Sequence, residues 1–139
     1  MIASGKPFSQ RLVLVDGDLA IRSALTFSLE LGGFAVDSYP SGEALLQEEA
    51  FPTAACLIID YELPGINGLQ LLCALRTRHV TSPAILITTN PTRRLRAEAQ
   101  AAGIPIVEKP LLTEDLEKSV YRALEGPISP AHIGEEVVA

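Results

Sequence analysis

The sequence predicts an α/β protein built on a doubly wound, five-stranded parallel sheet. Five short apolar segments alternate with five longer segments in which apolar residues recur at helical spacing, all within residues 11–125. The first, third and fourth apolar segments (residues 12–15, 54–59 and 84–87) are apolar throughout, which is typical of inner strands covered on both faces. The second and fifth segments are more polar or contain proline, as suits edge strands. With right-handed crossovers, these assignments predict the strand order 2-1-3-4-5.

The first helix follows the first strand after a short turn. Asp16 ends the strand, and apolar residues then recur at helical spacing from Ile21 to Leu29. Asp18 stands just before this pattern, where a carboxylate can accept hydrogen bonds from the first helical N–H groups, so we predict that it is the N-cap. The glycine pair that begins at Gly32 ends the helix.

The second and third units continue the alternation. Residues 34–39 form a partly alternating strand, and Ser41 begins a short helix that runs through Leu46. The third strand ends at Asp60, and the loop of residues 61–68 leads into the third helix.

The last two units complete the sheet. The fourth strand ends at Thr88, and a helix rich in Ala and Arg spans about residues 92–102. The fifth strand, residues 104–107, contains Pro105, which lacks the N–H that an inner strand needs. The final helix starts near Thr113. Together, these units predict a three-layer sandwich of the flavodoxin-like type.

Composition and charge exclude several classes of protein. The chain has 139 residues, 47% of them hydrophobic, and a formal net charge of −6. Because it can bury a core, it is not disordered, and an acidic surface is unsuited to binding nucleic acid. The longest apolar run has six residues, far fewer than the roughly 20 that span a bilayer, and no secretory signal is present, so we predict a cytoplasmic protein without membrane contact. Cys56 and Cys73 lack metal-site spacing and are predicted to be buried thiols.

Polar residues collect where four of the strands end. Asp16, Asp60, Thr88 and Lys109 each follow an apolar segment. Because the carboxyl ends of parallel strands lie at one edge of the sheet, we expect these side chains to converge there. Two nearby carboxylates repel each other, and a divalent cation between them would relieve the repulsion. Mg²⁺ suits such a site because it accepts one or two carboxylates and completes its octahedron with water.

These residues and their spacing resemble a known family, the receiver domain of two-component response regulators. The matching segments, in order, are VDGD at 15–18, IDYELPGING at 59–68, ITT at 87–89 and EKP at 108–110. The resemblance covers about residues 11–125. It leaves an N-terminal extension at 1–10 and a C-terminal tail at 126–139 that is too short for an output domain.

The resemblance implies a role for each residue of the cluster. Asp60 would be the phosphoacceptor, taking a phosphoryl group from a phosphohistidine of a sensor histidine kinase or a histidine phosphotransfer protein. Thr88 and Lys109 would contact the phosphoryl oxygens. Asp16, Asp60 and the backbone carbonyl of Glu62 would hold Mg²⁺.

The same resemblance implies partners rather than turnover of a separate substrate, so we predict that the chain is not an enzyme. Its signal would pass to a downstream protein partner, without nucleic-acid binding by this chain alone. The fourth helix, fifth strand and fifth helix would form the face of a possible homodimer.

Two positions depart from the family pattern. Gly17 stands where the family usually has a second acidic metal ligand, so Mg²⁺ binding is expected to be weakened or absent. Ile106 stands where the family commonly has Tyr or Phe, so the usual movement of an aromatic ring with Thr88 is not reproduced.

Two alternative functions follow from these residues. In the first, the loss of an acid at Gly17 has abolished phosphorylation, and the chain is a pseudo-receiver that acts as a phosphorylation-independent protein-binding module. In the second, more remote alternative, Asp16 and Asp18 form the DxD motif of a haloacid-dehalogenase-type hydrolase, with Asp16 as nucleophile and Asp18 as general acid.

Overall fold

The architecture is a parallel sheet of five strands in the order β2-β1-β3-β4-β5, as predicted. The computed structural model describes residues 10–51, 53–109 and 113–125. Its elements in chain order are β1 Arg11–Val15, α1 Leu19–Leu31, β2 Ala35–Tyr39, α2 Gly42–Leu46, β3 Cys56–Asp60, α3 Gly68–Thr77, β4 Ala84–Thr88, α4 Arg93–Ala101, β5 Ile106–Glu108 and α5 Thr113–Glu125. The predicted C-terminal tail, and the N-terminal extension up to residue 9, lie outside the described residues.

The core lies in two layers, one on each face of the sheet, which explains why the inner strands are apolar at successive positions. On one face, Val13, Ile59 and Leu86 pack with side chains of α2, α3 and α4. On the other face, Leu14 and Ile58 pack with side chains of α1 and α5. Because neighbouring residues of a strand point to opposite faces, a strand between two helical layers needs apolar residues throughout.

The fifth strand is shorter than predicted and begins at Ile106 rather than at residue 104. The N–H of Ile104 donates to the carbonyl of Ala99 at 2.8 Å, so Ile104 closes the end of α4 and does not start the strand. Pro105 has no N–H to contribute, but its carbonyl accepts from the N–H of Leu86 at 2.9 Å. β5 is an edge strand, as predicted, although Pro105 lies just before the strand and not within it.

Helix starts agree well with the sequence. Asp18 is the N-cap of α1, and its side chain accepts hydrogen bonds from the N–H groups of Ala20 and Ile21. Ser41 caps α2 in the same way.

The prediction that both cysteines are buried is half wrong, because Cys56 is buried whereas Cys73 is exposed on α3. Burial raises the pKa of the Cys56 thiol to about 12.

Glu43, in the first turn of α2, fastens this helix to the loop between β3 and α3. Its Oε2 atom accepts a hydrogen bond from the N–H of Ile66 at 2.9 Å. This hydrogen bond, followed by one with the backbone of Glu43 itself, holds the pKa of the carboxyl below its ordinary value of 4.5. The contact therefore stabilises the fold more strongly when Glu43 is ionised than when it is protonated.

We expect Glu43→Gln to lower the free energy of unfolding at neutral pH, and the difference from the wild type to shrink in acid. A carboxyl whose pKa is lowered by folding contributes stability above its unfolded pKa, near 4.5, and loses that contribution as the pH falls through its folded pKa. Urea unfolding at a series of pH values measures the difference. Glu49→Gln, the same change at an exposed acid, is the control. A Glu43→Gln profile parallel to the wild type through the acid range would contradict the assignment.

Candidate functional site

The four predicted residues lie together at the carboxyl edge of the sheet. Asp16 follows β1, Asp60 is the last residue of β3, Thr88 is the last residue of β4, and Lys109 follows β5. Asp16 is fully buried, and Asp60 and Thr88 are 3% and 1% exposed. Three polar side chains are therefore buried at one edge of the sheet, next to an apolar core.

Lys109 joins the two carboxylates. Its Nζ atom donates to Oδ2 of Asp60 at 3.0 Å and lies 3.6 Å from Oδ2 of Asp16. The backbone N–H of Lys109 donates to the carbonyl of Thr88 at 2.8 Å, which fixes where the side chain starts. Burial by itself lowers the pKa of Lys109, but the hydrogen bond to Asp60 and the charges of Asp60, Asp16 and Glu62 together leave the pKa above its ordinary value. The surroundings of the lysine therefore favour its charged form.

Asp16 is held rigidly but is only partly satisfied. Its N–H donates to the carbonyl of Tyr39, its own carbonyl accepts from Nη1 of Arg22 at 2.6 Å, and its Oδ1 accepts from the N–H of Asp18 at 2.8 Å. Its Oδ2 is buried and has no hydrogen-bond partner among the described residues. Burial, partly offset by the hydrogen bond from Asp18, raises the pKa of Asp16. The ammonium of Lys109, 3.6 Å away, is the charge partner of this oxygen, which can also accept a metal ion.

Glu62 forms hydrogen bonds with both Asp60 and Thr88. The N–H of Glu62 donates to Oδ1 of Asp60 at 3.0 Å, and the hydroxyl of Thr88 donates to Oε2 of Glu62 at 3.1 Å. The sequence singled out Glu62 for its backbone carbonyl and did not predict the contact between its side chain and Thr88. The second residue of the loop thus touches both strand ends.

Gly17 is exposed, but Pro64 of the loop that follows β3 lies close to one side of it. A Cβ atom at this position would lie 3.0 Å from Cδ of Pro64, tighter than most real contacts of a Cβ atom. An acid at residue 17 would therefore require the Pro64 ring to shift. The glycine that replaces the usual acid at this position is therefore the residue that fits beside Pro64 without a shift of its ring.

The site offers Mg²⁺ fewer carboxylate ligands than the three acids of the family pattern would. Among the described residues, no group of three His, Cys, Asp or Glu side chains is arranged to hold a metal ion. Two buried carboxylates remain, one of them with an unpartnered oxygen, and these meet the needs of an ion that accepts one or two carboxylates and several waters. The residues therefore fit Mg²⁺, with fewer protein ligands than the family pattern has.

Sequence reasoning missed Arg22, which clamps the carbonyl of Asp16. A signal was available, because a cation in the first turns of a helix opposes the helix dipole and calls for a compensating partner.

Asp18, the general acid of the hydrolase alternative, instead accepts hydrogen bonds as the N-cap of α1. The structure therefore gives no support to the hydrolase.

Comparison with known proteins decides the family. The model of the response regulator receiver domain matches residues 12–121. The chain belongs to this family. It is a receiver domain of two-component response regulators, with a phosphoacceptor role in signalling.

Several relatives of this receiver domain are longer proteins. Transcriptional regulatory protein FixJ of Bradyrhizobium diazoefficiens is 26% identical over 133 residues, which cover 92% of this chain and 64% of that protein. FixJ of Azorhizobium caulinodans is 34% identical over 105 residues, which cover 75% of this chain and 50% of that protein. The chain thus spans between half and two thirds of the length of these regulators.

Solved structures support the same fold. A crystal structure of FixJ-N is 28% identical, with a TM-score of 0.75, and the match covers 87% of this chain and 98% of that one. The signal receiver domain of a LuxO repressor protein from Vibrio parahaemolyticus has a TM-score of 0.77 at 18% identity, covering 94% of this chain and 97% of that one.

The family sets the general kind of activity. Receiver domains exchange signals with histidine kinases or phosphotransfer proteins and with downstream partners, and they are typically not enzymes with a separate substrate. Among the described residues of this receiver domain, no helix is long and apolar enough to cross a membrane.

Proposed function

We propose that this receiver domain accepts a phosphoryl group on Asp60 from a phosphohistidine of a sensor histidine kinase or a histidine phosphotransfer protein. The observation that carries the proposal is the bridge from Lys109 to two buried carboxylates at the sheet edge, with Asp60 the nearer of the two. In the transfer, an oxygen of Asp60 forms a bond to phosphorus as the P–N bond breaks. The imidazole nitrogen keeps the electron pair and takes up a proton.

Each neighbour of Asp60 has a part in this transfer. The ammonium of Lys109 offsets charge on the phosphoryl oxygens, because it already lies at hydrogen-bond distance from Asp60. The N–H of Glu62 orients the nucleophilic carboxylate. The buried hydroxyl of Thr88 donates to a phosphoryl oxygen, and the resulting change at β4 passes to a protein partner.

Mg²⁺ would be held by Asp16, Asp60 and the backbone carbonyl of Glu62. When bound, it neutralises charge on the transferring phosphoryl group. The proposed assignment is supported by the unpartnered oxygen of Asp16, which lies in the buried part of the site.

The proposal is tested by the mass of the intact protein after incubation with acetyl phosphate, with and without Mg²⁺. We expect a Mg²⁺-dependent phosphoryl adduct that is lost in Asp60→Asn and kept in Asp115→Asn, the same change at an exposed helical site. An adduct that survives Asp60→Asn but is lost in Asp16→Asn would favour the hydrolase. No adduct in the wild type would favour the pseudo-receiver.

The pseudo-receiver is the second candidate, and one contact favours it. Pro64 packs over Gly17, where the family usually has an acid. In that case the fold binds its partner without phosphorylation, and loss of Asp60 leaves partner binding unchanged.

We expect Gly17→Asp to tighten Mg²⁺ binding roughly tenfold, because a third carboxylate adds charge at the site. The same variant should lose about 1 kcal/mol of stability without the metal, since its Cβ crowds Pro64. Gly17→Ala is the matched control, because it carries the crowding without the charge. Thermal unfolding titrated with Mg²⁺ measures both effects. Equal Mg²⁺ affinity in Gly17→Asp and Gly17→Ala would show that residue 17 lies too far from the metal to bind it.

The remaining assignments are also proposals. We assign residues 11–125 to the receiver unit and place the protein in the cytoplasm. A homodimer, if one forms, would use α4, β5 and α5.

A further inference from the structure

The hydroxyl of Thr88 is already engaged in the unphosphorylated protein. It donates to Oε2 of Glu62 at 3.1 Å, and the next acceptor, the carbonyl of Thr89, lies at 3.5 Å. Thr88 is 1% exposed, so water does not compete freely for this hydroxyl. A threonine hydroxyl has a single proton to donate, so its proton is committed to the carboxylate of Glu62.

The proposed phosphoryl transfer needs the same proton. The inference rests on that proposed function, in which Thr88 donates to an oxygen of the phosphoryl group on Asp60. Thr88 cannot donate to both acceptors at once. The hydrogen bond to Glu62 must therefore break as the hydrogen bond to the phosphoryl group forms.

Charge repulsion also opposes the presence of the Glu62 carboxylate beside Thr88 when Asp60 carries a phosphoryl group. The carboxylate of Glu62 lies close enough to contribute to the field at Lys109, the cation that would also serve the phosphoryl oxygens. A phosphoryl group on Asp60 brings further negative charge to this side of the site, and like charges repel. Glu62 is exposed, so its side chain can turn into water when it is displaced.

We infer that Glu62 is a latch on the switch residue: its carboxylate holds Thr88 in the resting position and opposes phosphorylation of Asp60. Glu62 is a positioning residue in this scheme, because it acts through Thr88. Its backbone N–H meanwhile holds Oδ1 of Asp60. Release of its side chain from Thr88 leaves this backbone contact in place.

The test compares the initial rate of phosphorylation by acetyl phosphate in four proteins: the wild type, Glu62→Ala, Thr88→Val, and the double variant. We expect Glu62→Ala to raise the rate about tenfold in the wild-type background, as loss of a charge-assisted hydrogen bond would do. In the Thr88→Val background the same substitution should have almost no effect, because no hydroxyl remains to be held. Glu62→Gln keeps a neutral acceptor and should give an intermediate rate. Glu49→Gln controls for the change in net charge.

The outcomes separate the latch from simpler explanations. An equal increase in both backgrounds would mean that Glu62 only repels the phosphoryl donor, and the latch would be overturned. Equal rates in the wild type and Glu62→Ala, each with an adduct on Asp60, would overturn the latch and leave the proposed function intact. An adduct on Asp60 in Glu62→Ala but not in the wild type would support a latch that is closed at rest, and it would show that the missing wild-type adduct does not indicate a pseudo-receiver. No adduct in any of the proteins would overturn the latch together with the proposed function.

Discussion

Lys109→Met is expected to abolish detectable phosphorylation of Asp60 and to destabilise the fold by about 3 kcal/mol. Lys109 is the cation at hydrogen-bond distance from Asp60, and it also lies 3.6 Å from Asp16. Its removal leaves two buried carboxylates facing each other without a counter-charge. Breaking a buried ion pair by removing one partner costs more than the pair contributes, because the remaining charge stays desolvated.

The same variant should bind Mg²⁺ more tightly than the wild type. Without the lysine, the site carries two uncompensated negative charges, and a divalent cation relieves their repulsion. Urea unfolding with and without Mg²⁺ measures the stability, and intact mass after acetyl phosphate measures the phosphoryl adduct. Lys118→Met, on the exposed surface of α5, is the matched control and should resemble the wild type in both assays. A Lys109→Met protein that is as stable as this control would show that the two acids do not depend on the lysine.

Gly68→Ala is expected to cost about 3 kcal/mol of stability and to slow phosphorylation. Gly68 is the first residue of α3, where this helix starts against the end of β3. A Cβ atom there would lie 2.6 Å from the carbonyl oxygen of Asp60 and 2.8 Å from Cα of Tyr61. Both neighbours are backbone atoms, so relief requires the helix or the strand end to move. Such a movement displaces Asp60, the proposed phosphoacceptor.

Gly103→Ala provides the comparison that separates packing from backbone conformation. Gly103 has a φ of +72°, which is unfavourable for alanine, but a Cβ atom there would meet no atom of the described part of the chain within 4 Å. Its expected cost is therefore about 1 kcal/mol, with normal phosphorylation. Thermal or urea unfolding of both variants, together with the acetyl phosphate assay, measures the contrast. A Gly68→Ala protein that loses no more stability than Gly103→Ala would mean that α3 can move away from β3 at little cost.

The strand order and the site residues could be predicted for the same reason. Leu14 and Ile58 belong to strands that are apolar on both faces, a pattern that arises only between two covering layers. Where such a strand stops, the next side chain reaches the sheet edge, so Asp16 and Asp60 could be placed together from their positions in the sequence. Local periodicity carries this information, and it needs no knowledge of the loops.

Contacts made by loops could not be predicted in this way. The side chain of Glu62 reaches Thr88 across 26 residues, and Pro64 comes to lie against Gly17. Both contacts depend on the path of residues 61–67, which repeats no helical or strand period. The later start of β5 is another such case. The N–H of Ile104 donates to the carbonyl of Ala99 at the end of α4, and this pairing depends on the three-dimensional path of the chain.

The sequence by itself therefore determined the sheet, its order and the identity of the residues at its carboxyl edge, because burial on two faces and termination by polar residues are written in local patterns. Only the tertiary structure decided which hydrogen-bond and ion-pair partners those residues have. Lys109 bridges both acids, and Glu62 accepts a hydrogen bond from the hydroxyl of Thr88. One oxygen of Asp16 finds no hydrogen-bond partner in the part of the chain that the structure describes. Such pairings depend on distances of a few ångströms between distant segments, and these distances are set by packing rather than by periodicity.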